Sequence, residues 1–282
     1  MELKDYQSHD PVAWCPGCGN FGILTAMKQA LLKLDKKPRD TLLVSGIGQA
    51  AKLPHYIKAN CFNGLHGRAL PVAAAAKMVN PNLTVIVNTG DGDCYGEGGN
   101  HFIHNMRRNV DMTVIVHNNQ IYALTKGQAS PTTDSGFTSK VQNQGVLSSK
   151  FNSLAVSIAN GCSFVARGFS RHTENLTELI VEAIKHSGFS LVEVMQPCVS
   201  FNKINTYDWY SERLYDVIED KSYDPEDIQA AFMKALEWGE RIPMGIIYRH
   251  KDKTYRERMK TDKNPFLNQN NNDIRDIFED FS

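Results

Sequence analysis

Three segments, TLLVSGIG, LTVIVNTGDGD and MTVIVHNN, run Val, Ile and Leu together without alternation and stop at Gly or Asn. A strand with one face in water alternates apolar and polar residues, so unbroken runs of this length predict strands buried on both faces. Helical patterns separate them. Apolar residues recur at Ile23/Leu24, Met27, Leu31 and Leu34, Ala69 to Val79 is Ala-rich, and a further helix is expected through His101 to Arg108. After a long polar loop the alternation resumes: a short helix near Leu154–Ala159, the strand CSFVAR, a helix over Asn175–His186 and the strand SLVEVM. The pattern predicts an α/β fold, a mostly parallel sheet with helices on both faces. Residues 1–200 are read as one domain and 201–282 as a C-terminal extension packed on it or on a partner subunit. In the extension, Asp224-Pro225-Glu226-Asp227 predicts a helix start, with Asp224 as cap and Pro225 first in the helix. That helix is expected to end near Gly239, Met244–Tyr248 to add a last strand, and the Asn-rich NPFLNQNNND to be irregular.

Charge and hydropathy exclude several classes. Lys plus Arg and Asp plus Glu both number 31 in 282 residues, so no net charge draws the chain to nucleic acid or an anionic membrane. MELKDYQSHDPVAW lacks the basic start and apolar run of a signal peptide, and the longest apolar stretch, around LPVAAAAKMV, is too short to span a bilayer. The expectation is a cytoplasmic protein whose cysteines are not disulfide-bonded.

In open parallel sheets ligands bind beyond the carboxyl ends of the strands, and the turns GIG, GDGD and HNN all fall there. Asp91 closes one buried strand and Asn119 the next, one strand–helix–strand unit apart. Two side-chain oxygens at adjacent strand ends can hold a hard cation such as Mg²⁺, completed by water and ligand phosphates. The neighbouring glycines let backbone N–H groups approach those phosphates. Read alone, GDG is equally compatible with a plain glycine turn; the Asn pair after a second buried strand favours the cation site.

GDG followed by NN resembles the signature of thiamine-diphosphate enzymes. The longer stretch LHGRALPVA…GDGDCYGEGGNHFIHNMRRNVDMTVIVHNNQIYALTKGQASPTT, with WCPGCGN and QPCVSFN, resembles more narrowly the β subunits of 2-oxoacid:ferredoxin oxidoreductases, over roughly residues 10–210. The resemblance implies that Asp91, Asn119 and the carbonyl of Ile121 bind Mg²⁺. It implies that Gly92, Asp93, Ala123 and Leu124 line the phosphates and thiazolium of thiamine diphosphate, and that Ile47, Gly48, Gln49, Ala50 and His66 complete the pocket. Lys126 matches a lysine placed near the substrate carboxylate or coenzyme A; the alternative is a solvated loop lysine. Arg68 stays unassigned.

Cys15-Pro16-Gly17-Cys18 lacks the preceding strand of a thioredoxin-like redox pair, and no second CxxC completes a zinc site. The resemblance implies instead that Cys15, Cys18 and Cys198 ligate a 4Fe–4S cluster, normally held by four thiolates. The family's remaining cysteine would follow GIG, where this chain has Gln49. Cys61, Cys94, an unusual ligand or an incomplete cluster all stand open there.

The resemblance thus implies oxidative decarboxylation of a 2-oxo acid to an acyl-coenzyme A and CO₂, with electrons passing to ferredoxin. The alternative is a non-oxidative thiamine-dependent decarboxylase or transferase subunit, which Gln49 alone favours. A metal-bound electron carrier without catalysis is the third and weakest reading. No glutamate here is placed by motif to activate the cofactor's aminopyrimidine; Glu97 reads as a helix start. The resemblance implies that an α subunit supplies it, with γ and ferredoxin-like δ subunits as further partners.

Overall fold

The computed structural model describes residues 1–259. In chain order, α1 (Asn20–Lys33) leads to β1 (Thr41–Ser45) and β2 (Asn60–Asn63), then α2 (Ala69–Val79), β3 (Thr84–Gly90), α3 (Gly99–Arg108) and β4 (Met112–Asn118). A small hairpin, β5 (Ile121–Tyr122) with β6 (Gln128–Ala129), precedes α4 (Ser153–Ala159), β7 (Phe164–Phe169), α5 (Thr173–Lys185) and β8 (Phe189–Met195). The chain continues through α6 (Tyr207–Ser211), β9 (Leu214–Asp216), α7 (Ile228–Leu236), β10 (Ile242–Arg249) and α8 (Tyr255–Met259).

The main sheet runs β2-β1-β3-β4-β8-β7-β10-β9, eight strands. Its first six members are mutually parallel; β10 lies antiparallel to β7 and carries β9 beside it. This is the mostly parallel α/β architecture expected from the Val/Ile runs. Side-chain alternation explains why those runs hold no polar break: in β3, Val85 and Val87 enter one core with α2 and α3, while Ile86 enters the other with α1 and α5. In β4, Val114 and Val116 divide from Ile115 in the same way. Burying one such side chain stabilises the fold by about 1.5–3 kcal/mol, and the central strands bury every one.

Several expectations need correction. The helix near residue 224 is capped by Asp227, whose carboxylate accepts from the Gln229 and Ala230 N–H groups, whereas Asp224 closes an earlier turn on Glu226. Pro225 therefore lies outside the helix, which ends at Leu236 rather than near Gly239. The second half of GDGD is itself helical: Gly92–Glu97 forms a turn of π-helix ahead of α3. The edge strand β2 carries no apolar signal because all four of its residues are exposed. Beyond residue 200, β10 enters the sheet and Ile247 and Tyr248 enter its core. The Asn-rich stretch lies outside the described residues. No helix among the described residues is long and apolar enough to cross a membrane.

Candidate cofactor site

One pocket opens at the carboxyl ends of β1, β3 and β4. The turn after β1 contributes Ile47, Gly48, Gln49 and Ala50; His66 comes from the loop before α2; Gly90 to Asp93 follow β3. His117, Asn119 and the segment Ile121 to Thr125 supply the opposite wall. The expected cation ligands Asp91, Asn119 and Ile121 and all nine expected cofactor contacts therefore surround a single space. Lys126 does not line it. It sits exposed in the turn joining β5 and β6, with a left-handed φ of 77°, a conformation unusual for a residue with a Cβ.

Asp91 is 2% exposed, and its Oδ2 accepts from the Ser130 hydroxyl at 2.5 Å and the Thr132 hydroxyl at 2.6 Å. Burial pushes its carboxyl up to about 6, against the pull of those hydroxyls. A buried carboxylate with only neutral donors is stabilised by a cation, and a hard divalent ion suits it. The two asparagines divide their work. Asn118 turns inward, donating to Glu193 and accepting from Thr132 at 2.9 Å, while Asn119 borders the pocket and, among the described residues, its Oδ1 accepts only from Ile121 N–H at 3.0 Å. Asn119 thus keeps oxygen capacity for a metal. These donors fit Mg²⁺.

Asp93 behaves differently. Its Oδ1 accepts from Ile47 N–H (3.1 Å) and Gly67 N–H (2.7 Å) and meets His66 Nδ1 (2.7 Å), while Oδ2 accepts from Thr89 Oγ1 (2.7 Å). It braces the turn after β1 and the His66 loop against β3, and thereby shapes the pocket. A Cβ on Gly92 would meet the Tyr122 ring at 2.2 Å, so only glycine lets these two walls close together.

Further residues at this site were not singled out by the sequence. Ser130 and Thr132, in the SPTT run, hold Asp91. Tyr122 borders the pocket and donates to Glu97 at 3.1 Å. His117 also borders it, bonded through Nδ1 to Asn20 Oδ1 at 2.8 Å, with Nε2 unpartnered among the described residues. Burial drives the His117 imidazole down to about 3, so it is neutral. The signal available for the hydroxyls was a Ser/Thr pair one hairpin beyond the Asn pair; His117 sits inside a strand run and carries no such signal.

A second cavity adjoins the first. Cys15, Cys18 and Cys198 line it, together with Trp14, Gln196 and Ser200, and Gln49, Asn119 and Ala123 line both spaces. Cys15 accepts from the Ser200 hydroxyl at 3.1 Å and Cys18 from the Gln196 amide at 3.5 Å. Burial, then the neighbouring Cys198 and Cys15, push the Cys18 thiol up to about 11. Among the described residues no three His, Cys, Asp or Glu side chains converge on one metal ion. A cubane asks for something else: each thiolate binds a different iron, so the sulfurs need only ring a common space. The cysteine cavity fits that demand. Neither Cys61, exposed on β2, nor Cys94, wholly buried with its thiol pushed far up, borders it.

The family model described as thiamine pyrophosphate enzyme, C-terminal TPP binding domain, matches residues 44–194. The model for the C-terminal part of the pyruvate ferredoxin oxidoreductase beta subunit matches residues 198–264. A 2-oxoacid:ferredoxin oxidoreductase subunit beta from Saccharolobus solfataricus is 46% identical over 258 residues, covering 87% of this chain and 85% of that one. Subunit beta of the 2-oxoacid:ferredoxin oxidoreductase 1 from Aeropyrum pernix is 46% identical over 262 residues, covering 89% and 82%. A solved 2-oxoglutarate:ferredoxin oxidoreductase from Magnetococcus marinus, with 2-oxoglutarate, coenzyme A and succinyl-CoA bound, superposes with a TM-score of 0.92 at 34% identity, covering 100% of this chain and 96% of that one. These likenesses favour the oxidative reading over the non-oxidative one. The chain belongs to the beta subunits of the 2-oxoacid:ferredoxin oxidoreductases, a thiamine-diphosphate-dependent family.

Proposed function

We propose that this chain carries the thiamine diphosphate and Mg²⁺ of a cytoplasmic enzyme that converts a 2-oxo acid and coenzyme A to an acyl-coenzyme A and CO₂. A 4Fe–4S cluster at Cys15, Cys18 and Cys198 leads the electrons away to ferredoxin. The observation that carries this reading is adjacency: Gln49, Asn119 and Ala123 form a shared wall between the glycine-lined pocket and the cysteine cavity.

Thiamine diphosphate, when bound, supplies a carbanion for attack on the 2-oxo carbon and an acceptor for the electrons that decarboxylation releases. Asp91 and Asn119, with the Ile121 carbonyl, would hold Mg²⁺, which would supply positive charge to the diphosphate. Gly92 offers a backbone without a side chain in the way, and Asp93 keeps the turn after β1 and the His66 loop in register around the cofactor. Lys126, an exposed cation just outside the pocket, attracts the substrate carboxylate or coenzyme A. The coenzyme A bound in the Magnetococcus marinus enzyme supports its use here. Among the described residues no glutamate lines the pocket, so the glutamate that activates the cofactor belongs to the α subunit, with γ and ferredoxin-like δ subunits as further partners.

The test is ferredoxin reduction by the anaerobically assembled complex. Reduction should require a 2-oxo acid, coenzyme A and thiamine diphosphate together. Release of CO₂ and aldehyde at full rate without ferredoxin reduction would support the non-oxidative alternative instead.

A further inference from the structure

The cysteine cavity is built from three walls. The turn before α1 brings Cys15 and Cys18, the segment after β8 brings Cys198, and the wall shared with the cofactor pocket brings Gln49. Gln49 is held by its backbone: its carbonyl accepts from the Trp14 indole N–H at 2.9 Å. Its side-chain Oε1 is buried and accepts from nothing among the described residues. A buried amide oxygen without a donor is costly and calls for an explanation. Gln196 Oε1 in the same cavity is also unpartnered, but that side chain is already committed through its amide N–H groups to Cys18 Sγ and the Pro197 carbonyl. The Gln49 side chain has no such commitment.

We infer that Gln49 is the fourth protein ligand of the cluster, binding through Oε1 the one iron that Cys15, Cys18 and Cys198 leave without a thiolate. This rests on the cluster assignment made above. The four irons of a cubane point in four directions. With thiolates on two walls, the remaining iron faces the third, where the free oxygen lies and the cofactor pocket begins. The amide is neutral and hard where a thiolate is anionic and soft, so it holds this iron more loosely. It also leaves the cluster one negative charge short of the all-thiolate form, which favours reduction. Electron entry would then occur at the iron nearest the cofactor.

Loose retention gives the test. When one electron passes to ferricyanide, [4Fe–4S]²⁺ loses one Fe²⁺ and becomes [3Fe–4S]⁺. The bonds of that iron to three sulfides and to Oε1 break, and all four sulfides stay. Iron release and the paramagnetic resonance signal of the three-iron product are followed in the complete anaerobic complex, where partner clusters are common to every variant. The wild type should convert one cluster per chain at least roughly tenfold faster than Gln49→Cys, whose added thiolate fixes the fourth iron, and more slowly than Gln49→Ala. Equal rates for wild type and Gln49→Ala would overturn the inference, as would a wild-type cluster already lacking its fourth iron when isolated anaerobically. Should Gln49→Cys fail to assemble, the Gln49→Ala comparison decides alone. Cys18→Ala separates the two levels: if it leaves iron content and signals unchanged, the cluster itself is wrong. If it removes a signal while the Gln49 variants match the wild type, the cluster stands and only the ligand assignment falls.

Discussion

Asp91 and Asp93 stand two residues apart and face opposite demands. Asp91, whose Oδ2 accepts only from neutral hydroxyls among the described residues, is the proposed cation ligand, while Asp93 commits both oxygens to Ile47, Gly67, His66 and Thr89. In the sequence Asp91 was legible as a cation ligand and Asp93 as a cofactor contact, but the bracing role of Asp93 was not, because Ile47, His66 and Gly67 come from loops distant in the chain. Asp93→Ala should destabilise the protein by about 2–4 kcal/mol, since it strands the buried Gly67 N–H and the buried Thr89 hydroxyl. Thermal unfolding, with faster amide exchange at Ile47 and Gly67, checks this; an unchanged melting temperature would contradict the bracing role. Lys126 invites a cleaner separation of charge from fold. Its φ of 77° means that Lys126→Gly relieves about 1 kcal/mol of left-handed strain. That variant should therefore be at least as stable as wild type, yet lose turnover on the order of tenfold or more if the cation serves the substrate. Turnover at the wild-type level would reduce Lys126 to a surface charge.

At the scale of elements, the central strands were readable because both their faces are buried, which favours unbroken runs of Val, Ile and Leu. The elements that were not readable are those whose partners, not their own residues, define them. β2 is exposed throughout and exists because β1 offers it a ladder. The π-helical turn Gly92–Glu97 brings Gly92 close under Tyr122, a partner distant in the chain. In β8, Glu193 breaks the apolar pattern, and nothing in its sequence neighbourhood explains its burial. The explanation lies on β7: Arg167 pairs with it at 3.2 Å, both side chains being 4% exposed or less, while Tyr95, Asn118 and Ser153 donate to its other oxygen. Arg167→Met leaves a buried carboxylate without its cation and should cost about 3–5 kcal/mol by denaturant unfolding. Adding Glu193→Gln, which keeps an acceptor for the three donors, should recover most of that loss; no recovery would mean that the guanidinium matters through packing alone.

Over the whole molecule, the segment after residue 200 is tied to the body by more than the β7–β10 ladder. Asp134 accepts from Lys150 at 3.1 Å and from the Trp238 indole N–H at 3.1 Å, and the Lys150 ammonium lies over the Trp238 ring. Burial lowers the Lys150 ammonium to about 8 in spite of Asp134. Between about pH 8 and 10.5 the unfolded chain therefore binds the proton that the folded chain has released, and stability contributed by this group rises with pH. Measured against Lys150→Met, wild-type stability should gain up to about 3 kcal/mol across that window; a constant difference would contradict the assignment. The pocket between β3 and β4 is where sheet, loops and cysteine cavity meet, and its role as the cofactor site is the central claim. Calorimetric titration of the assembled complex with thiamine diphosphate and Mg²⁺ tests that most directly. Asp91→Ala should weaken binding by more than about tenfold, a loss beyond about 1.4 kcal/mol, with the fold intact by circular dichroism. Wild-type affinity in Asp91→Ala would contradict it.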